Sequence, residues 1–247
     1  MPLRFCSLLT SLVLISFFVA SLPTQATAQA TATATVSDAV TPVPRDGGWL
    51  NRHESMNERV KQGNVDLVFI GDSITQAWEG SGNEIWKKFY GERNAVNLGI
   101  SGDRTQHVLW RLEHGNLDGI SPKVAVIMIG TNNSGSNSPE EIAEGVTKIV
   151  EQIREKTPET RILLLATFPR GADPLDKNRQ VNEQSNRIVE QLADDEQVFY
   201  LDIGDKFVDG EGKLSKEIMP DLLHLSEQGY TIWAESIEPK LVKLLSN

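Results

Sequence analysis

Five short apolar runs punctuate this chain, and the way they end constrains its fold more than any other feature. Asp66 to Ile70 (DLVFI) stops at Gly71, Ala95 to Leu98 (AVNL) at Gly99, Val124 to Ile129 (VAVIMI) at Gly130, and Val198 to Ile203 (VFYLDI) at Gly204. Arg161 to Ala166 (RILLLA) runs toward Pro169. A strand with one wet face would alternate apolar and polar residues. Continuous apolar runs of this length suit parallel strands covered on both faces. Helix-like stretches separate them: Asn51 to Gln62, part of Gln76 to Tyr90, Arg104 to His114, Pro139 to Lys156, Asp176 to Ala193 and Ser226 to Leu245. The alternation predicts an α/β fold built of βαβ units, with one central parallel five-stranded sheet and helices on both faces. Such sheets hold ligands at the carboxyl ends of their strands.

The N-terminus reads differently. Met1 to Arg4 is a short basic start, Phe5 to Leu22 is almost wholly apolar, and Ala28-Gln29-Ala30 is a small-x-small cleavage site. This layout predicts a secretory signal peptide over residues 1–30, and hence a periplasmic or secreted protein without stable membrane insertion after cleavage. The single cysteine, Cys6, lies inside that signal, so the mature chain would have neither a disulfide nor a thiol nucleophile. Residues 31–48 are rich in Thr, Ala, Val and Pro and read as a flexible linker. Residues 49–247 then form one domain. Loss of Arg4 with the signal shifts the net charge from −10 to −11. That balance argues against nucleic acid or anionic lipid as partners.

Four polar segments follow strand-like runs or lie near the C-terminus. In Gly71-Asp72-Ser73-Ile74-Thr75, Ser73 sits between a buried strand and a helix start. It suits a helix N-cap. It equally suits a nucleophile beside free backbone N–H groups able to bind an oxyanion. Asn97-Leu98-Gly99-Ile100-Ser101-Gly102-Asp103 has two glycines that let backbone approach a ligand. Gly130-Thr131-Asn132-Asn133 offers an Asn side-chain donor, or simply turn chemistry. In Asp221-Leu222-Leu223-His224 a carboxylate lies three residues from an imidazole, close enough to orient it as a base. His53, His107 and His114 suit the role less well, His114 standing at a helix end where a cation opposes the dipole. No dinucleotide fingerprint or phosphate loop is present, and no third residue completes a metal site with Asp221 and His224. The reading therefore includes no cofactor and no metal.

In order, Gly-Asp-Ser, the Gly after Asn-Leu-Gly-Ile, Gly-Thr-Asn-Asn and Asp-x-x-His resemble the four signature blocks of the SGNH, or GDSL-type, hydrolases, from about Val65 to Trp233. The stretches GISGDRTQHVLWRLEHGNLDGISPKV, IGTNN, PRG and LHLSEQGY are similar to the catalytic subunits of the platelet-activating-factor acetylhydrolases. The resemblance implies a three-layer α/β/α sandwich of flavodoxin-like type, no metal, and removal of short acyl groups such as acetyl. It implies Ser73 as nucleophile, His224 as general base and Asp221 as its orienting carboxylate. It gives the oxyanion hole to the backbone N–H groups of Ser73 and Gly102 and the side chain of Asn132. Position 74 is Ile where the family name expects Leu. The exported N-terminus departs from those intracellular subunits, so their WD-repeat partner does not carry over.

The expected activity is thus an exported serine esterase acting on a small ester, lipid-like or an acetylated sugar. The alternatives are a carbohydrate O-acetylesterase, which export favours, and a non-catalytic binding domain on the same fold. The reading allows a homodimer, but no sequence feature calls for one. Asp72 and Asp103 are assigned to local backbone capping. Arg170 is assigned to the surface, and Trp78, Trp86 and Trp110, at helical spacing, to the core.

Overall fold

The computed structural model describes residues 1–3 and 36–246. The expected signal segment from Arg4 to Ala30, with Cys6 and the cleavage site, lies outside the described residues. Val36 onward forms one unit of the chain. Its strands are β1 (Leu67–Gly71), β2 (Ala95–Gly99), β3 (Val124–Met128), β4 (Arg161–Leu165) and β5 (Val198–Leu201). All pair in parallel, in the order β2-β1-β3-β4-β5. β1, β3 and all but the first residues of β2 and β4 are buried, as continuous apolar runs require.

Side chains alternate between two cores. Val68, Ile70, Ala125, Ile127, Ile162 and Leu164 face one layer. Its helices are α1 (Gly48–Lys61), α4 (Thr105–Glu113), α5 (Pro139–Lys156) and α6 (Lys177–Val189). Leu67, Phe69, Val124, Val126, Leu163 and Leu165 face the other. There α7 (Glu227–Ser246) supplies Tyr230, Trp233, Ile237 and Leu241, and Trp78 and Tyr90 pack beside it. This is the expected three-layer sandwich. Trp78 and Trp233 are fully buried, each giving large apolar area to the core.

Helix is expected over part of Gln76 to Tyr90, and the stretch is indeed interrupted. It consists of α2 (Ser73–Gln76), a 3-10 turn at Ala77–Glu79 and α3 (Asn83–Tyr90). Gly80 and Gly82 interrupt it, and a Cβ on Gly82 would meet Trp78 and Tyr230. The linker expected over residues 31–48 ends earlier than composition suggests. Though mostly exposed, the chain after Val36 is attached to the domain: Asp38–Val40 form a 3-10 turn, and Ala39 is fully buried. Polar contacts hold it there, which an apolar pattern does not reveal. Thr105 Oγ1 donates to the Ala39 carbonyl at 2.7 Å, and Asn137 Nδ2 to Asp38 Oδ1 at 2.6 Å.

The order of strand addition reverses at β1, which has β2 on one side and β3 on the other. Parallel α/β sheets leave a crevice at such a switch point. Gly71 is level with Gly99 on β2 and Met128 on β3. Three loops therefore leave the sheet side by side.

Candidate active site

The first of these loops turns directly into α2. Asp72 is its N-cap: the buried carboxylate accepts from Ile74 N–H at 2.9 Å. Ser73, for which the sequence allowed a capping role, is instead the first helical residue. Its hydroxyl is spared from capping, and its N–H has no intrahelical acceptor at that position. Burial pushes the Asp72 carboxyl up to about 7, against the opposing pull of the Ile74 N–H.

The hydroxyl of Ser73 meets His224 across the crevice, with Oγ 2.8 Å from Nε2. His224 Nδ1 lies 2.6 Å from Asp221 Oδ2. An N–H given to that carboxylate leaves Nε2 as an acceptor for the serine proton. The Asp221–His224 segment is a tight turn, with Leu222 at φ 61°. Asp221 Oδ1 closes it by accepting from Leu223 N–H at 3.1 Å and His224 N–H at 2.7 Å. Burial alone would raise the Asp221 carboxyl; hydrogen bonds from the ring and backbone of His224 outweigh it and hold the group below its ordinary range. Gly171 N–H donates to the Leu222 carbonyl at 2.9 Å, so the Pro169-Arg170-Gly171 loop fastens the turn. Behind the site, Tyr230 Oη donates to the Ile74 carbonyl at 2.7 Å, tying α7 to α2.

Gly102, in the second loop, has φ 76°, a conformation that favours glycine. Ser101 N–H donates to Gln76 Oε1 at 2.7 Å, and Asp103 N–H to the Ile100 carbonyl at 3.1 Å. The fully buried Asp103 carboxylate accepts from Trp49 Nε1 at 2.6 Å and Arg111 Nε at 2.9 Å. Arg111, equally buried, reaches the Gly71 carbonyl at 3.3 Å. This pair clasps the second loop to the end of β1; Asp103 is structural as expected, but through side-chain partners and not by the local backbone capping the sequence suggested.

In the third loop Asn132 is half-buried. Its Nδ2 donates to the Asp103 carbonyl at 2.9 Å and stands 3.5 Å from Asp72 Oδ2, so it adjoins both neighbouring loops. Asn133, not singled out by the sequence, is the fully buried hub. It accepts from Thr105 N–H and donates to Thr105 Oγ1, Gln106 Oε1 and Asn137 Oδ1. Its only signal was its place after Asn132. Arg170 also does more than expected: it donates to the Thr131 carbonyl at 3.0 Å and so supports the third loop.

The structure thus brings Ser73, His224 and Asp221 into one hydrogen-bonded chain, with the loops of Gly102 and Asn132 adjoining. The other histidines are spent elsewhere. His53 bonds the His114 carbonyl and stacks on Trp49. His107 accepts from Arg104 N–H, and burial with nearby Arg45, Arg104 and Arg111 lowers it to about 4. His114 stacks on Trp110 with ring centres 3.8 Å apart. A cleft opens over Ser73 and His224, walled by Gln76, Glu79, Ser81 and Ser101. A more enclosed depression between α6 and the ends of β4 and β5, lined by Asn182, Tyr200 and Asp202, contains neither Ser73 nor His224.

Residues 69–232 match the GDSL-like lipase/acylhydrolase family. Platelet-activating factor acetylhydrolase IB subunit alpha1 of Homo sapiens is 39% identical over 207 residues, covering 83% of this chain and 87% of the relative. Subunit alpha2 of Rattus norvegicus is 36% identical over 215 residues, covering 86% and 91%. Among solved structures, an acetylxylan esterase from Geobacillus stearothermophilus shares the fold with a TM-score of 0.58 at 20% identity, covering 75% of this chain and 95% of that one. Fold and family together define a carboxylic ester hydrolase. The chain belongs to the GDSL-like lipase/acylhydrolase family.

Proposed function

We propose that the protein is an exported serine esterase that removes short acyl groups, acetyl above all, through an acyl-enzyme on Ser73. The observation that carries this reading is the relay from Ser73 Oγ to His224 Nε2 at 2.8 Å and from Nδ1 to Asp221 at 2.6 Å. Nε2 takes the hydroxyl proton as Oγ attacks the ester carbonyl. The negative oxygen is held by the N–H groups of Ser73 and Gly102 and by Asn132 Nδ2. His224 then protonates the departing alcohol. Water, deprotonated by the same imidazole, attacks the acyl-serine and releases the acid. Asp221 holds the ring in the tautomer that both half-reactions need.

The cleft supports a small acyl group and a polar alcohol. Gln76, Glu79, Ser81 and Ser101 give it polar groups beside the apolar Ala77 and Leu225, and Arg52 grips the Glu79 carboxylate with two bonds of 2.9 Å. Those polar groups also favour the second reading, a carbohydrate O-acetylesterase, since sugar hydroxyls exchange hydrogen bonds with such groups. Export rests on the signal-like residues 1–30. The test is Ser73→Ala. The variant should keep its fold and lose both turnover of p-nitrophenyl acetate and labelling by a fluorophosphonate. Full activity in it would overturn the reading. Acetylated sugars and acetyl lipids, compared on the wild type, separate the two substrate classes.

A further inference from the structure

The tethered, mostly exposed segment from Val36 to Gly48 delivers one side chain to the second loop, and that contact has chemical content. Arg45 Nη1 donates to the Ser101 carbonyl at 2.7 Å and lies 3.3 Å from Asp103 Oδ1. The carbonyl of Ser101 and the N–H of Gly102 belong to one peptide unit. In a planar trans peptide these two groups point in opposite directions, and the described chain has no cis bond. A guanidinium held on the carbonyl therefore fixes the direction of the N–H at the other end. It also draws electron density toward the oxygen, which makes the N–H a stronger donor. We propose that Arg45 is a positioning residue for ester hydrolysis, aiming and polarising the Gly102 N–H toward the oxyanion. This rests on the reading of Gly102 as an oxyanion donor.

Other features converge on the same arrangement. A Cβ built on Gly102 would lie 3.2 Å from both terminal nitrogens of Arg45, so the end of the guanidinium lies directly against that residue. Asp103, which anchors the guanidinium, is itself fixed by Trp49 and Arg111. The segment carrying Arg45 is fastened on both sides. Val43 N–H bonds the Gln106 carbonyl, and Ala39 lies against α5 at Gly145, where a Cβ would come within 2.8 Å of the Ala39 carbonyl. Ser101 lines the cleft with Ser73 and His224. The apparent linker is thus a strap whose far end touches the reaction centre through one peptide bond.

The test uses the full chain with Arg45→Ala and Arg45→Lys, each active site counted by fluorophosphonate titration so that misfolded protein is excluded. Removing an oxyanion donor outright costs about a hundredfold or more; leaving it present but unaimed should cost about tenfold in kcat with KM nearly unchanged. Arg45→Lys should recover part of this, because one ammonium can still reach the carbonyl. Free guanidinium should restore Arg45→Ala, whereas sodium chloride at equal ionic strength should not. Affinity for a trifluoromethyl ketone, which forms the oxyanion on Ser73, should fall in step with kcat/KM. A kcat per titrated site within twofold of wild type in Arg45→Ala would overturn the proposal while leaving the Ser73 relay intact. A wild type that neither labels nor turns over would overturn both.

Discussion

Asp72 offers a quantitative test of how this active site is paid for in stability. Its carboxyl is buried beside the nucleophile, with one N–H from Ile74 and the Asn132 amide 3.5 Å away. Burial raises it from 3.8 to about 7. The folded chain then holds this proton more tightly than the unfolded chain between those values, so stability falls as pH rises through that window. The shift corresponds to about 4 kcal/mol, present below the unfolded value and gone above the folded one. In Asp72→Asn the amide oxygen can keep the Ile74 bond, and Asn caps helices about as well as Asp. The variant removes the titration and little else. Urea unfolding followed by tryptophan fluorescence, at steps of about one unit from about pH 4.5 to about pH 8.5, measures both proteins. The stability of the variant minus that of the wild type should rise by at most about 1.4 kcal/mol per pH unit and level off above about 7. A difference that stays flat across the range would refute the claim that a buried, desolvated carboxyl stands beside Ser73.

Two further outcomes follow from packing. Arg111→Met leaves the fully buried Asp103 carboxylate without its main partner and should cost about 3–5 kcal/mol by chemical denaturation. The double variant Asp103→Leu/Arg111→Met should recover much of that loss, because neither charge then remains buried. Gly99→Ala puts a Cβ 2.7 Å from the backbone carbon of Thr75, where α2 crosses the sheet. It should destabilise by at least about 1–3 kcal/mol in a thermal melt and lower turnover per titrated serine, since the helix that moves begins at Ser73.

The sheet was legible because apolar runs record burial directly. All five strands lie within or one residue from the expected runs. Ser73, Asp221 and His224 stood out as a set, because the ordered blocks that hold them resemble those of a known family; singly each suited a cap or a turn. What escaped were the groups that hold them. Arg45 reaches Ser101 across 56 residues and Arg170 reaches Thr131 across 39. No local pattern encodes a side chain's distant carbonyl partner. Residues 36–48 looked like linker for the same reason: carbonyls, a carboxylate and a guanidinium do what large apolar side chains do elsewhere. Asn133 was hidden by resemblance to its neighbour, because two adjacent amides look alike until their directions are known.

The distance along the chain between Ser73 and His224 has a temporal consequence. The two hydrogen-bonded side chains are 151 positions apart, and the turn bearing His224 lies just before α7, whose Tyr230 packs on Trp78 and bonds Ile74. A chain still emerging from the ribosome carries its serine without its imidazole. On the proposed mechanism, Ser73 stays unreactive toward esters until the C-terminal segment that brings His224 to it has folded, so reactivity arrives late in the chain's life.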